Sequence, residues 1–147
     1  MTFILVFSQC APIFADEGAL PKRSEIPAEY KWKLTDIYVD QAAWEKDFNK
    51  VQNEYIPKVL KFKGKLTTAK NVLDCFKVDE EMNRVLEKLY VYSGLSSDLD
   101  NADSKASELM SRAESLNSKV MEAEAYIEPE LLSKPEKTIK AYMNSAS

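Results

Sequence analysis

A run of apolar residues spaced alternately by four and three positions most constrains the fold of this 147-residue chain. This spacing places every member on one side of an α-helix over almost four heptads. The pattern predicts a helix of about 27 residues, roughly 40 Å long. Half of its members are alanine, so we expect packing inside a bundle rather than a free coiled coil. The members are Ala102, Ala106, Leu109, Ala113, Leu116, Val120, Ala123 and Ile127.

The segment between Asp40 and Gly64 predicts another helix, interrupted by a proline. Asp40 is a favourable N-cap residue, and Gly64 stands where a glycine commonly ends a helix. Pro57 lies between them and lacks a backbone N–H, so we expect a kink about one turn earlier. The apolar stripe comprises Trp44, Phe48, Val51, Tyr55, Val59 and Phe62.

The next stretch predicts two helices. A short helix is expected to be capped by Thr67 or Thr68, and a longer one is expected to start at Asp79, followed by two glutamates in its first turn. Gly94 lies within the apolar stripe of the longer helix. A glycine there costs helix propensity but permits a neighbour to approach closely.

A polar break at 96–101 separates these helices from the long alanine-rich one, with Asp100 or Asn101 as its expected cap. Pro129 is expected to end the long helix, and two further helix starts follow at 130–132 and 135–143. The last pattern covers barely two turns. The predicted fold is therefore all-α, an antiparallel bundle of about four main helices with an extended N-terminal lead-in.

The first residues resemble a secretory signal peptide, which we predict at 1–15. An apolar run at 3–7 leads to Ala15, the expected cleavage point, and acidic residues follow. Two features depart from the usual pattern: Lys22 is the first basic residue, and Ile13 is large for its place two residues before the cleavage point. The alternative is an uncleaved N-terminal arm. The apolar run is too short to span a bilayer.

Residues 16–39 are expected to form the extended lead-in, and 40–147 the helical domain. Two prolines punctuate the lead-in, and its charges are mixed. Trp32 and Tyr38 belong to an apolar cluster that is too short for a helix. We expect this cluster to wrap against the domain and bury its aromatic rings.

The chain contains no histidine, and this limits its chemistry. Without imidazole it has no Ser-His or Cys-His dyad, no His-ligated zinc and no His general base. Two cysteines cannot build a Cys-only zinc site, and we expect Cys75 to be a small buried side chain rather than a nucleophile. The net charge of −4 gives no basic surface for nucleic acid. The sequence therefore predicts no catalytic residue, no metal ligand and no nucleic-acid partner, and it leaves the substrate-binding residues unknown.

Two glutamate pairs have the residue type of an acid and a base. Glu122 and Glu124 flank an alanine, and Glu128 and Glu130 flank a proline. Side chains two positions apart on a helix point in different directions. We therefore interpret all four as solvated charges.

An aspartate cluster resembles the start of a calcium-binding loop. It consists of Asp98, Asp100 and Asp103. The glycine of such a loop is missing, and the twelfth position is Leu109 instead of glutamate. The cluster is better explained as a turn between helices.

Five aromatic residues could form a binding platform, although core packing with the hydroxyl groups reaching the surface is the more common arrangement. They are Tyr90, Tyr92, Tyr126, Trp32 and Trp44.

Several stretches, in order, resemble the N-terminal region of oligoendopeptidase F, a family of M3 zinc metallopeptidases. The resemblance covers about 23–132, and its most specific parts are the segments 32–38 and 89–92, because helical amphipathicity dictates neither. The matching stretches are 23–38, 44–48, 62–66, 86–93, 112–116 and 126–131.

This resemblance implies an all-helical domain that forms one wall of a deep channel for short unfolded peptides. In the family, a later domain supplies a His-Glu-Phe-Gly-His helix and a further glutamate ligand, and the bound zinc activates water. None of those residues occurs in this chain, so zinc is implied only for a full-length family enzyme. The resemblance therefore implies a fragment or a truncated, inactive relative, which binds oligopeptides only together with a catalytic domain.

A second hypothesis is a free-standing exported helical module that binds a protein partner through the alanine-rich stripe or an exposed aromatic groove. Export to the periplasm or the cell exterior is expected if the signal peptide is real, and a cytoplasmic location otherwise. No membrane span is predicted.

Overall fold

The computed structural model describes residues 25–100 and 102–145 of the chain. The chain divides into two units, Met1–Lys31 and Trp32–Ser147. The predicted signal peptide at 1–15 lies outside the described residues. The described part of the first unit contains a 3-10 turn, closed by a backbone hydrogen bond of 3.1 Å from Tyr30 to Pro27.

The described residues form helices and turns without a strand, so the prediction of an all-α fold is confirmed. Two short 3-10 turns precede the helices, at Ala28–Tyr30 and Leu34–Asp36. The helical elements that follow are α1 (Gln41–Lys50), a π-helical turn (Val51–Tyr55), α2 (Ile56–Leu60), α3 (Ala69–Leu99), α4 (Ser104–Glu124), α5 (Ile127–Leu132) and α6 (Glu136–Ser145).

The helical segment between Asp40 and Gly64, which comprises α1, the π-helical turn and α2, is bounded by the two residues that the sequence predicts. The Asp40 side chain accepts a hydrogen bond of 2.8 Å from the backbone N–H of Ala43. Pro57 is preceded by the π-helical turn, in which the wider i to i+5 spacing accommodates a ring that would clash with the carbonyl one turn earlier. Gly64 follows α2 with a φ of 75°, a conformation that side chains disfavour. The irregularity predicted one turn before the proline is thus a π-helical turn.

Helix α3 corrects the prediction of two helices between 67 and 101. Thr68 caps it, with its hydroxyl oxygen accepting from Asn71 N–H at 3.2 Å, and the helix then continues through Asp79 to Leu99. No glycine or proline occurs between Thr68 and Asp79, so the helix continues and its acidic residues at 79–81 lie inside it. Gly94 also differs from expectation. A Cβ placed there would meet no described atom within 4 Å, so no neighbour approaches it closely.

Helix α4 starts later and ends earlier than predicted. Its N-cap is Asp103, whose carboxylate accepts from Lys105 N–H at 2.8 Å, whereas Asp100 instead accepts from Ala102 N–H at 2.9 Å in the preceding turn. Asn101 lies outside the described residues. Pro129 does not end α4; it lies in the first turn of α5, where the backbone N–H groups need no intrahelical partner.

Seven of the eight members of the predicted stripe are buried, and only Ala102 is exposed. The stripe faces the other helices of the same chain, with its closest packing against α3. The prediction that it packs within a bundle is therefore confirmed.

The side-chain contacts define the helix directions. Arg112 pairs with Glu45, Lys119 with Gln52, and Tyr126 with Val59, each with a separation of 67 residues. A constant separation means that α4 runs parallel to the layer formed by α1, the π-helical turn and α2. In the contacts of α3, residues later in α3 meet residues earlier in its neighbour, so α3 lies antiparallel to both neighbouring layers. On one side Tyr38 contacts Tyr92 and Trp44 contacts Leu89. On the other side Cys75 contacts Tyr126 and Asn83 contacts Glu124.

The core contains one fully buried tryptophan. Trp44 donates its indole N–H to the backbone oxygen of Leu89 at 3.2 Å. The Arg112 guanidinium lies 4.9 Å from the centre of the Trp44 ring and 4.6 Å from that of Phe48, and it forms two hydrogen bonds of 2.5 and 2.7 Å with Glu45. The Arg112 hydrogen bonds lower the pKa of Glu45. This stacked ion pair fastens α1 to α4 at the surface of the core.

The aromatic cluster of the lead-in is only half buried, which corrects part of the prediction. Tyr38 is 3% exposed, packs edge-on against Tyr92 with ring centres 5.4 Å apart, and donates its hydroxyl to Asp47 at 2.8 Å. Burial and this acidic partner raise the Tyr38 pKa. Trp32 is 64% exposed. The short 3-10 turn between the two rings lets only one of them reach the core.

Candidate functional site: two surface grooves and a carboxylate pair

A polar groove runs along the outer side of α3, and Asn117 of α4 lines it as well. Its volume is about 810 Å³. Asn83 and Asn117 place carboxamide groups along it, and Phe76 and Tyr90 add partly exposed aromatic rings. Carboxamide oxygens that accept hydrogen bonds, next to rings that contact apolar side chains, suit an extended peptide. We refer to this surface as the polar groove.

An apolar groove of about 580 Å³ lies between the first two turns of α3, the end of α5 and one side of α6. The hydroxyl of Tyr142 donates to the backbone oxygen of Thr67 at 2.6 Å and ties α6 to the start of α3. Leu132 is 75% exposed and Met143 67% exposed at this groove. Large apolar side chains grouped at a surface mark contact regions for other polypeptide segments. We refer to this surface as the apolar groove.

Two carboxylates, Asp79 of α3 and Glu124 of α4, line the same cavity where these helices pack. Asn83 donates one amide hydrogen bond to the Glu124 carboxylate at 2.7 Å and another to the backbone oxygen of Asp79 at 3.1 Å. Burial raises the pKa of Glu124 to about 7, and the neighbouring Asp79 carboxylate adds to this effect. The interpretation of Glu124 as a solvated charge is wrong, because the side chains of α3 cover it.

Glu130 is also more than a solvated charge. Its two carboxylate oxygens accept hydrogen bonds from the backbone N–H groups of Gly64 and Leu66, at 2.8 and 2.7 Å. These groups belong to the loop between α2 and α3, so the first turn of α5 braces a loop that lies more than 60 residues earlier in the sequence. Glu122 and Glu128 are exposed, as the sequence predicts.

The predicted aromatic residues do not form one platform. Trp44 is fully buried, Trp32 lies in the lead-in, and Tyr90 alone of the five lines the polar groove. The hydroxyl of Tyr126 points inward instead of reaching the surface, and it donates to the backbone oxygen of Val59 at 2.6 Å.

Cys75 is buried, as predicted, with its sulfur 3.5 Å from the Tyr126 hydroxyl. Burial raises the pKa of both groups, so both are neutral at physiological pH. A neutral, buried thiol is a poor nucleophile.

No group of three or more potential metal ligands is found among residues 25–100 and 102–145. Asp98 lies in the last turn of α3, whereas Asp100 and Asp103 lie in the turn between α3 and α4, where each accepts a hydrogen bond from a backbone N–H group. No helix in the described part of the chain combines the length and apolar character needed to cross a bilayer.

Sequence reasoning missed the pairing of Asp79 with Glu124 and the bracing role of Glu130. One signal was available, because Glu124 directly follows Ala123 of the buried stripe. A carboxylate beside the seam of a bundle helix has a partner helix within reach. Asp79, interpreted as a helix start, gave no such signal.

Curated relatives match most of this chain. It is 35% identical over 125 residues to the oligopeptidase PepF of Bacillus subtilis, covering 84% of this chain and 18% of the relative. It is 30% identical over 122 residues to the group B oligopeptidase PepB of Streptococcus agalactiae, with 82% and 20% covered. It is 33% identical over 111 residues to the chromosomal oligoendopeptidase F of Lactococcus lactis, with 75% and 18% covered.

The chain therefore spans about a fifth of the length of these relatives. No protein-family model matches it, and no solved structure matches it. The similarity predicted from the sequence motifs is confirmed over four-fifths of the chain.

Proposed function

We propose, from the relationship of this chain to the oligoendopeptidase F proteins, that it is a non-catalytic helical domain of a zinc-dependent oligopeptidase. In this role it forms part of the wall of a peptide-binding channel. The similarity to peptidases named for cleaving oligopeptides carries the proposal. The matched region is about a fifth of each relative, which leaves room for a catalytic domain elsewhere in such proteins.

The residues present do not fit a zinc centre. The chain has no histidine, and its described residues offer no cluster of three ligands. We therefore assign no step of zinc chemistry to this chain, and its contribution is to bind and orient peptide.

The polar groove is the surface that we assign to the peptide. Asn83 is held by two hydrogen bonds, so its carboxamide is fixed in place. Tyr90 stands at the groove with 40% of its surface exposed, available to pack against a peptide side chain. A rigid helix wall with fixed amides loses little entropy when a peptide binds.

The alternative is a module that binds a protein partner. Burial of the alanine-rich stripe within the chain counts against the version that uses this stripe. The apolar groove favours the alternative, because a protein segment could cover its exposed leucine and methionine. In an oligopeptidase the same groove would face the remainder of the polypeptide.

A chimera tests the channel role. The matched segment of the Bacillus subtilis relative is replaced by this chain, and hydrolysis of short peptides is measured with and without chelator. We expect chelator-sensitive hydrolysis, and we expect Tyr90→Ala to raise KM. Leu60→Ala, on the exposed surface of α2 outside the groove, is the matched control. A folded chimera with an unchanged KM for Tyr90→Ala would contradict the assignment of the polar groove.

The isolated chain provides the second test. We expect it to show no peptide hydrolysis and no tight zinc binding by titration. Turnover that a chelator abolishes would contradict a non-catalytic role.

Export stays a prediction, and mass spectrometry of the mature N-terminus after expression tests it: cleavage after Ala15 supports export.

A further inference from the structure

We propose that Asp79 of α3 and Glu124 of α4 share one proton, and that its release as the pH rises to neutrality weakens the contact between the two helices. The proposal concerns the stability of this domain and does not depend on its role in a peptidase.

The first support is an unsatisfied buried atom. The Oδ1 atom of Asp79 is buried and has no hydrogen-bond partner among the described residues. An ionised carboxylate can only accept hydrogen bonds, so two ionised neighbours cannot satisfy each other. A proton on Glu124 turns that group into a donor facing Asp79. One shared proton therefore joins the two carboxyl groups across the helix interface.

The second support is the position of Asn83. Its amide nitrogen already donates to Glu124 and to the backbone of Asp79. This holds the Glu124 carboxyl group in place beside α3 and occupies one of its oxygens. The other oxygen is available for the shared proton.

The third support is the charge of the surroundings. A cavity of about 410 Å³ beside the pair is lined by Phe76, Ile127 and two leucines of α5, and its third carboxylate is Glu128. Lys and Arg are missing from the described residues that line this cavity.

The remaining titratable groups nearby do not neutralise the pair either. Glu130 of α5 already accepts hydrogen bonds from the backbone N–H groups of Gly64 and Leu66. Cys75 and Tyr126 are neutral. On α3, the Arg84 side chain along the polar groove is paired with Glu80. Among the described residues that line this cavity, no cation therefore offsets a second negative charge.

The direction of the pH effect follows from linkage. The folded chain retains a proton on Glu124 up to a pKa of about 7, whereas the unfolded chain releases it near 4.5. Between these values the folded state binds more protons, so its stability falls as the pH rises. The pKa of Glu45 is lowered by Arg112, and its contribution is lost only at more acidic pH. The window from pH 5 to 8 therefore reports on the Asp79–Glu124 pair.

Urea denaturation of the whole chain at pH 5, 6, 7 and 8, followed by circular dichroism, tests the proposal. We expect the wild-type midpoint to fall across this range and the Glu124→Gln midpoint to stay constant. Glutamine still accepts from Asn83 and supplies a permanent donor to Asp79. Glu122→Gln is the matched control, because it removes an exposed charge from the same helix and should keep the wild-type fall.

A second variant and a direct measurement cover the case in which Glu124→Gln does not fold. Asp79→Asn removes the neighbouring charge and should make the fall with pH smaller than in the wild type, because burial alone still raises the pKa of Glu124. Carbon NMR of the Glu124 carboxyl group should show a titration near pH 7 in the wild type. An apparent pKa below 5.5, or a wild-type midpoint that does not fall between pH 5 and 8, would overturn the proposal.

Discussion

The brace formed by Glu130 gives the sharpest stability prediction. Its two hydrogen bonds, at 2.8 and 2.7 Å, join the start of α5 to the loop that follows α2. Glu130→Gln keeps one acceptor oxygen but turns an amide group toward the other backbone N–H. The variant therefore loses one hydrogen bond to a charged acceptor and the charge assistance of the second.

The size of the effect follows from the exposure of each bond. A hydrogen bond to a charged group contributes about 1.5 to 3 kcal/mol, and exposure brings this to the low end. The bond from Gly64 is exposed, whereas the bond from Leu66 is partly buried. We expect Glu130→Gln to lower the free energy of unfolding by about 2 kcal/mol, and Glu130→Ala by slightly more.

Urea denaturation at one fixed pH, followed by circular dichroism at 222 nm, measures this difference. Glu128→Gln is the matched control, since it removes the same charge from the exposed side of the same helical turn. Proton NMR adds a local readout, because the amide protons of Gly64 and Leu66 should shift upfield when the carboxylate is lost. If Glu130→Gln is destabilised no more than Glu128→Gln, the bracing argument is refuted.

Three further substitutions, two of them with a matched comparison, probe the caps and the stacked ion pair. Gly64→Ala should cost about 1 kcal/mol in urea denaturation, because alanine is strained at a φ of 75°, whereas Gly94→Ala should be stabilising. Asp40→Ala should cost about 1 kcal/mol through loss of its N-cap bond, measured against Asp36→Ala, and equal midpoints would refute the cap. Arg112→Lys should lower the thermal midpoint by several degrees, since lysine cannot form the two-pronged bond or stack on the rings; an unchanged midpoint would mean that only its charge matters.

Local features of this chain could be predicted because their physics is local. Asp40 caps its helix through a backbone N–H three residues away, and Gly64 ends its segment through its own φ. The alternating steps of the long stripe reflect 3.6 residues per turn, so one buried side was predictable from spacing alone. The similarity to oligopeptidases could also be recognised from the sequence, because short segments such as 32–38 and 89–92 carry it.

Helix continuity was less predictable. The acidic residues at 79–81 have the composition of a first turn, yet they lie in the middle of α3 because nothing before them breaks the helix. Acidic residues at a helix start contribute only about 0.3 to 1 kcal/mol each. The packing of α3 against both neighbours outweighs such a preference.

The sequence by itself determined the helical class, the cap at Asp40, the helix end at Gly64, the buried stripe of α4 and the absence of an imidazole-based site. Only the tertiary structure decided what the glutamates do. Glu124 and Glu130 share residue type and spacing with their exposed partners, but α3 covers the first and the loop after α2 meets the second. The contacts of these two glutamates join residues 41 to 66 positions apart, so they depend on how whole helices pack. The spacing pattern of one helix carries no information about which side chains its partner helix presents.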